Sequence, residues 1–111
     1  MFLHQFLRDH HQAFVALCRQ HKVKFIYAFG SGITELFDPE KSDIDLLVDL
    51  NIEDPVEYGE HLLALWDTLE VFFQRKVDLV TEESLQNPYL RKSIEASKKL
   101  IYDGQREEVL V

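Results

Sequence analysis

The segment 43–50, which reads DIDLLVDL, places two aspartates two residues apart in a run that is otherwise largely apolar. Its length and its branched side chains predict a β-strand, in which alternate side chains point to the same face. Asp43 and Asp45 therefore share a face, with Cα atoms roughly 6.6 Å apart along the strand. Two such carboxylates repel one another, and burying either without a partner costs free energy. The pair consequently requires solvent or a cation.

The rest of the chain alternates between helical and extended patterns. Apolar residues spaced by three and four predict helices, and short apolar runs that end at turn residues predict strands. The predicted elements are a helix over 2–21, strands at 24–29 and 43–50, a helix from Pro55 to about Phe73, a strand at 76–80, and a last helix from Pro88 that carries Leu90, Ile94 and either Leu100 or Ile101. This order predicts an α/β fold with helices packed against one sheet in a single pair of layers.

The composition narrows the classes of function. A length of 111 residues suits one domain, residues 1–111, and 46% apolar residues predict a folded chain. The net charge of −8 argues against a nucleic-acid partner, because binding to phosphates needs basic patches. No apolar run is long enough to span a membrane, and no secretory signal pattern opens the chain. With Cys18 as the only cysteine, we expect a cytoplasmic protein.

Two further features of the sequence indicate what the aspartate pair binds. Gly30-Ser31 follows a predicted strand directly, where glycine admits a ligand close to the backbone and serine offers an anion site at a helix start. Asp78 is the only polar residue of a third apolar strand, VDLV. Taken alone, Gly30-Ser31 also fits an ordinary turn with a serine cap, and Asp78 also fits an edge strand whose aspartate faces water. Together with the aspartate pair they indicate a site for Mg²⁺, which typically binds carboxylates and substrate phosphates.

The spacing of these motifs resembles that of a known family. Gly30-Ser31 is followed after ten residues by SDIDLLV at 42–48, and VDLV follows at 77–80. This arrangement resembles the minimal nucleotidyltransferase family, which belongs to the DNA polymerase β-like nucleotidyltransferase superfamily. The resemblance covers nearly the whole chain, including the ending TEESLQNPYLRKSIEASKKLIYDG, which is similar to the family's final helix.

The resemblance implies an α+β fold with a small mixed sheet and transfer of a nucleoside monophosphate from a nucleoside triphosphate, with release of pyrophosphate. It implies that Asp43 and Asp45 hold Mg²⁺, as two ions. Asp78 would be the third carboxylate at the metals and would orient or deprotonate the attacking hydroxyl. Such transfer depends mainly on alignment and on cations that neutralise developing charge.

The resemblance also implies that Gly30, Ser31 and Ser42 bind the triphosphate of ATP. One departure concerns the residues after Gly30-Ser31. Family members often continue with a small residue, arginine and glycine, whereas this chain continues with Gly32-Ile33-Thr34-Glu35. An arginine that could meet the phosphates bidentately is therefore replaced by residues without a positive charge.

The partner implied by the resemblance is a HEPN-domain ribonuclease toxin. The leading hypothesis is an antitoxin that transfers AMP from ATP to a tyrosine of this toxin. A second hypothesis, motivated by Glu35 and the missing arginine, is a weak or inactive enzyme that neutralises the toxin by binding alone. A third is a nucleotidyltransferase for a small molecule, completed by formation of a homo-oligomer.

Overall fold

The computed structural model describes residues 2–30, 43–106 and 108–109. Within these ranges the elements, in chain order, are α1 (Phe2–Asp9), α2 (His11–Gln20), β1 (Val23–Phe29), β2 (Ile44–Leu50), α3 (Pro55–Phe73), β3 (Val77–Val80), a 3₁₀ helix (Glu82–Ser84), α4 (Pro88–Ser97), β4 (Lys99–Asp103) and β5 (Glu108–Val109). No helix in the described part of the chain is long and apolar enough to cross a membrane.

The strands form one mixed sheet in the order β3-β2-β1-β4-β5. β2 and β3 are parallel, while β1 is antiparallel to both of its neighbours, β2 and β4. A parallel pair needs a crossover connection, and α3 provides it between β2 and β3. The mixed sheet with packed helices confirms the predicted fold class.

The two faces of β2 meet different layers of the fold. Ile44, Leu46 and Val48 are buried in the larger core, which also contains apolar residues of α1, α2 and α3. Leu47 points to the opposite face, where it packs with Leu85 and with Ile94 of α4. The prediction of a single helical layer is therefore wrong, because α4 covers the face of the sheet that carries the aspartates.

The long helix α3 begins where the sequence predicts. The Asp54 carboxylate accepts a hydrogen bond of 2.8 Å from the backbone N–H of Glu57, and Pro55 occupies the first turn. Leu65, Leu69 and Phe73 are buried along its inner side. By contrast, the predicted helix over 2–21 is two helices, since His10 departs from helical geometry with φ −122° and ψ 30°.

The end of the chain differs from the prediction. Leu100 and Ile101 lie in β4 rather than in the last helix, which ends at Ser97. Lys98 is extended, with ψ 144°, and β4 then pairs with β1. A side chain at Gly104 would overlap the backbone carbonyl oxygens of residues 23 and 24, so glycine is needed where the chain leaves β4. The stretch that resembles the family's final helix thus contains both α4 and β4.

Candidate active site

The parallel pairing of β2 and β3 brings two of the predicted site residues together. Asp45 lies directly opposite Asp78 in the register of the two strands, and Phe29 of β1 lies opposite Asp45 on its other side. The side chains of Asp45 and Asp78 are hydrogen-bonded to each other. Asp43 immediately precedes β2 and contributes negative charge at Asp45. The structure therefore gathers all three predicted carboxylates at one end of β2.

The surroundings of Asp45 oppose its ionisation. Its pKa is raised to about 6, first by burial, then by the hydrogen bond with Asp78 and by the negative charges of Asp78 and Asp43. The Asp43 side chain is 40% exposed, and its carboxylate lies 3.9 Å from the Nζ atom of Lys76. A cation placed among these carboxylates would favour their ionised forms and offset the repulsion between them.

The donor set fits a hard cation such as Mg²⁺, which prefers carboxylate oxygens. Across residues 2–30, 43–106 and 108–109, however, no three acidic, histidine or cysteine side chains already adopt a metal-holding arrangement. The Asp45 and Asp78 side chains are hydrogen-bonded to each other, and the Asp43 carboxylate lies near the ammonium group of Lys76. The three carboxylates are close enough to influence one another, but binding of a cation would require them to turn towards it.

Gly30 has a structural role that follows from its position beside Asp45. It has a positive φ of 70°, which favours glycine. A Cβ atom built on it would overlap the Oδ2 atom of Asp45. Glycine at this position thus lets the end of β1 approach the carboxylate. Ser31 and Ser42, the other two predicted nucleotide-binding residues, lie outside the described residues, as does the altered stretch 32–35.

Trp66 of α3 also contributes to the site region, although in the sequence it stands out only as an apolar residue of this helix. Its indole Nε1 donates a hydrogen bond of 2.7 Å to the backbone carbonyl of Val77, the residue before Asp78. Tryptophan commonly packs its ring while its N–H finds a partner. This contact ties α3 to β3 and helps to fix the backbone that carries Asp78.

Asp49, the third aspartate of β2, belongs to a different cluster. From the sequence alone, an aspartate at the end of a strand is expected to be solvated. In the structure the Asp49 carboxylate accepts hydrogen bonds of 2.6 Å from the Tyr58 hydroxyl and 2.9 Å from the backbone N–H of Leu50. Burial and Asp49 together raise the pKa of Tyr58. Asp49 is therefore partly solvated, with its side chain 37% exposed, and is also held by Tyr58, which α3 places over this end of the strand.

The arrangement of carboxylates can be compared with that of known proteins. A family model described as the nucleotidyltransferase domain matches residues 12–101, which include β1, β2, β3 and all three site aspartates. The chain belongs to this family. The predicted enzyme class, a nucleotidyltransferase, is thereby confirmed.

Two relatives of this nucleotidyltransferase come from Methanocaldococcus jannaschii and are named as candidate protein adenylyltransferases. MJ1379 is 41% identical over 83 residues, which are 75% of this chain and 79% of the relative. MJ1217 is 40% identical over 98 residues, which are 88% of this chain and 91% of the relative. The similarity therefore extends over most of both relatives.

Solved structures show the same fold. A structure of a candidate minimal nucleotidyltransferase matches with a TM-score of 0.58 at 29% identity, covering 86% of this chain and 92% of that one. A toxin–antitoxin structure with AMP-PNP matches with a TM-score of 0.56 at 25% identity, covering 85% and 73%. These matches confirm the resemblance to minimal nucleotidyltransferases and their polymerase β-like fold.

Proposed function

We propose that this nucleotidyltransferase transfers AMP from ATP to a tyrosine hydroxyl of a HEPN-domain toxin and acts as the antitoxin of that toxin. The observation that carries the proposal is the pairing of Asp45 with Asp78 across two parallel strands, beside Asp43 and Gly30. The names of the two archaeal relatives support a protein acceptor. The AMP-PNP in a similar toxin–antitoxin structure supports an adenine nucleotide and a toxin partner.

In this proposal Asp43 and Asp45 hold Mg²⁺, and Asp78 is the third carboxylate beside it. When bound, Mg²⁺ neutralises charge on the triphosphate and favours departure of pyrophosphate. Asp78 orients the acceptor hydroxyl and accepts its proton. The hydroxyl oxygen bonds to the α-phosphorus of ATP, and the bond from that phosphorus to the oxygen bridging to the β-phosphate breaks. Gly30, Ser31 and Ser42 are assigned to the triphosphate.

The pKa of Asp45 supports a requirement for a cation at neutral pH. With a pKa of about 6, it loses its proton near neutrality and adds a second negative charge beside Asp78. Triphosphate oxygens brought to the same place would be repelled by this charge. Bound Mg²⁺ would reverse the sign of the interaction, so the same carboxylates would attract ATP together with its cation.

The test is the intact mass of the partner after co-expression of this chain with the protein encoded next to it, followed by incubation with ATP and Mg²⁺. We expect a mass gain in whole AMP units with the wild-type chain and none with Asp45→Asn. Asp49→Asn is the matched control, because Asp49 lies on the same face of β2 but is bonded to Tyr58 outside the site. It should leave the mass gain intact.

Other outcomes distinguish the remaining hypotheses. A stable complex with no mass gain in any sample would contradict AMP transfer and favour neutralisation by binding alone. Absence of both complex and mass gain, with AMP transferred to a small hydroxyl compound, would favour a small-molecule enzyme. In that case the mass of the chain in solution would show whether it acts as a homo-oligomer.

A further inference from the structure

A cavity of about 280 Å³ opens directly beside the paired carboxylates. Asp45 and Asp78 lie at its polar side, and Leu85, Leu90 and Ile94 line it from the 3₁₀ helix and α4 region. Leu85 and Ile94 are buried, with 5% and 2% exposure, whereas Leu90 is 48% exposed and stands at the mouth. The inner part of the cavity is therefore apolar. The cavity is open to solvent near Leu90 and acidic where Asp45 and Asp78 line it.

Two aromatic side chains complete the walls. Phe29 comes from β1, where it pairs with Asp45, and Trp66 comes from α3. The hydrogen bond from Trp66 to the carbonyl of Val77 holds the indole at the edge of the sheet. Aromatic walls of this kind favour a flat ring as a ligand, because edge-to-face and offset contacts between rings add to the burial of apolar area.

We propose that this cavity is the acceptor subsite, which holds the ring of the acceptor tyrosine with its hydroxyl towards Asp78. The inference rests on the proposed function and assigns residues to it. An apolar ring matches the apolar walls, and a hydroxyl at the far end of that ring matches a carboxylate that accepts a proton. Serine and threonine carry their hydroxyl on one carbon and would leave the cavity unfilled, so Phe29, Trp66 and Leu90 select tyrosine.

With the hydroxyl in this position, one bond forms and one breaks during the transfer of AMP. The phenolic oxygen forms a bond to the α-phosphorus of ATP while the bond from that phosphorus to the leaving pyrophosphate breaks. The phenolic proton passes to Asp78, and no oxidant or reductant is involved. The charged triphosphate stays outside the apolar part of the cavity, and its α-phosphorus meets the phenolic oxygen at the end where Asp45 and Asp78 lie.

The subsite can be tested without any transfer reaction. p-Cresol, the side-chain analogue of tyrosine, is titrated into the whole chain without nucleotide, and the methyl NMR signals of leucine and isoleucine are followed. We expect saturable shifts at Leu85, Leu90 and Ile94 with a millimolar Kd. Methanol, the side-chain analogue of serine, should give no saturable shift at these methyls.

A pair of matched variants locates the binding. Leu90→Trp places a bulky ring at the mouth and should weaken p-cresol binding by about tenfold or more. Leu63→Trp makes the same substitution at a 65% exposed leucine of α3 that does not line this cavity, and should leave the Kd unchanged. Melting curves confirm that both variants fold.

The outcomes separate the subsite from the reaction. Saturable shifts only elsewhere, no saturable shift, or an unchanged Kd in Leu90→Trp would overturn the subsite. Displacement of p-cresol by ATP and Mg²⁺ with new shifts at the same methyls would assign the cavity to adenine and would also overturn it. p-Cresol binding at these methyls, combined with no AMP transfer to the partner, would support the subsite and count against the proposed transfer alone.

Discussion

At the scale of single residues, Asp45 combines a position in the candidate site with a cost in stability. Its pKa of about 6 means that the folded chain binds this proton more tightly than the unfolded chain does. The contribution of Asp45 to the free energy of unfolding therefore decreases as the pH rises from about 4, the ordinary value of an aspartate, through about 6. At neutral pH, without a cation, the group destabilises the fold.

Asp45→Asn should consequently stabilise the cation-free chain while abolishing AMP transfer. Near neutral pH we expect a gain on the order of 1 kcal/mol, reduced by solvent screening of this half-buried group, and a rise in melting temperature of about 3–6 °C. Near pH 4 the gain should vanish, since the wild-type carboxyl is then protonated. Thermal melting at the two pH values measures both effects. An equal melting temperature near neutrality would contradict the assigned repulsion.

Gly30 provides a second prediction at the same scale. Gly30→Ala places a Cβ atom against the Asp45 carboxylate at a positive φ, and the backbone strain should lower stability by about 1–2 kcal/mol. Displacement of Asp45 from Asp78 should lower AMP transfer by up to about 100-fold. Urea unfolding and the partner's mass gain over time measure the two effects.

Gly59→Ala is the matched control for this substitution. Gly59 lies inside α3, and nothing stands within 4 Å of an added Cβ. Alanine there should stabilise the helix by about 0.5–1 kcal/mol and leave transfer unchanged. A Gly30→Ala variant with wild-type stability and activity would show that the approach of Gly30 to Asp45 is unimportant.

At the scale of elements, α3 contributes to both stability and the candidate site, because its Trp66 holds the backbone next to Asp78.

The N-terminal cap of α3 gives a prediction about stability. Removal of this cap in Asp54→Ala should lower the free energy of unfolding by about 1 kcal/mol. Asp67→Ala, at an exposed position inside the same helix, serves as the control and should change stability by less than about 0.5 kcal/mol. Urea unfolding of the two variants measures the difference, and equal losses would contradict a specific role of the cap.

The elements also show what could be read from the sequence. α3 and β2 carry local signals, a cap followed by proline in one case and a short apolar run in the other, and both were predicted closely. β4 was missed because Ile101 lies seven residues after Ile94, a spacing that also fits a helix. Pairing with β1 decides the conformation of this segment, and such non-local contacts are absent from a local pattern.

The site was predictable to a similar degree. Asp43, Asp45 and Asp78 stand out as acids in apolar runs, and the structure brings them together. Their mutual arrangement depends on the parallel register of β2 and β3. This register cannot be read from a local pattern, because 32 residues separate Asp45 from Asp78. Trp66 has a local signal only as an apolar residue, because the acceptor of its N–H lies on another element.

At the scale of the whole molecule, the larger core and the candidate site lie on opposite faces of the sheet. The face packed against α1, α2 and α3 holds the larger core, while the opposite face carries the aspartates and the cavity under α4. The acidic face can therefore remain open to the proposed nucleotide and partner without exposing the larger core.

We assign the carboxylates of β2 and β3 to the cation site of nucleotidyl transfer. A crystal structure of the chain with Mn²⁺ and a non-hydrolysable ATP analogue tests this claim, because anomalous scattering locates the metal. We expect a peak about 2.1 Å from carboxylate oxygens of Asp43 and Asp45, with Asp78 adjacent, and no such peak in Asp45→Asn. A peak bound elsewhere, or none at saturating Mn²⁺ and nucleotide, would contradict the claim.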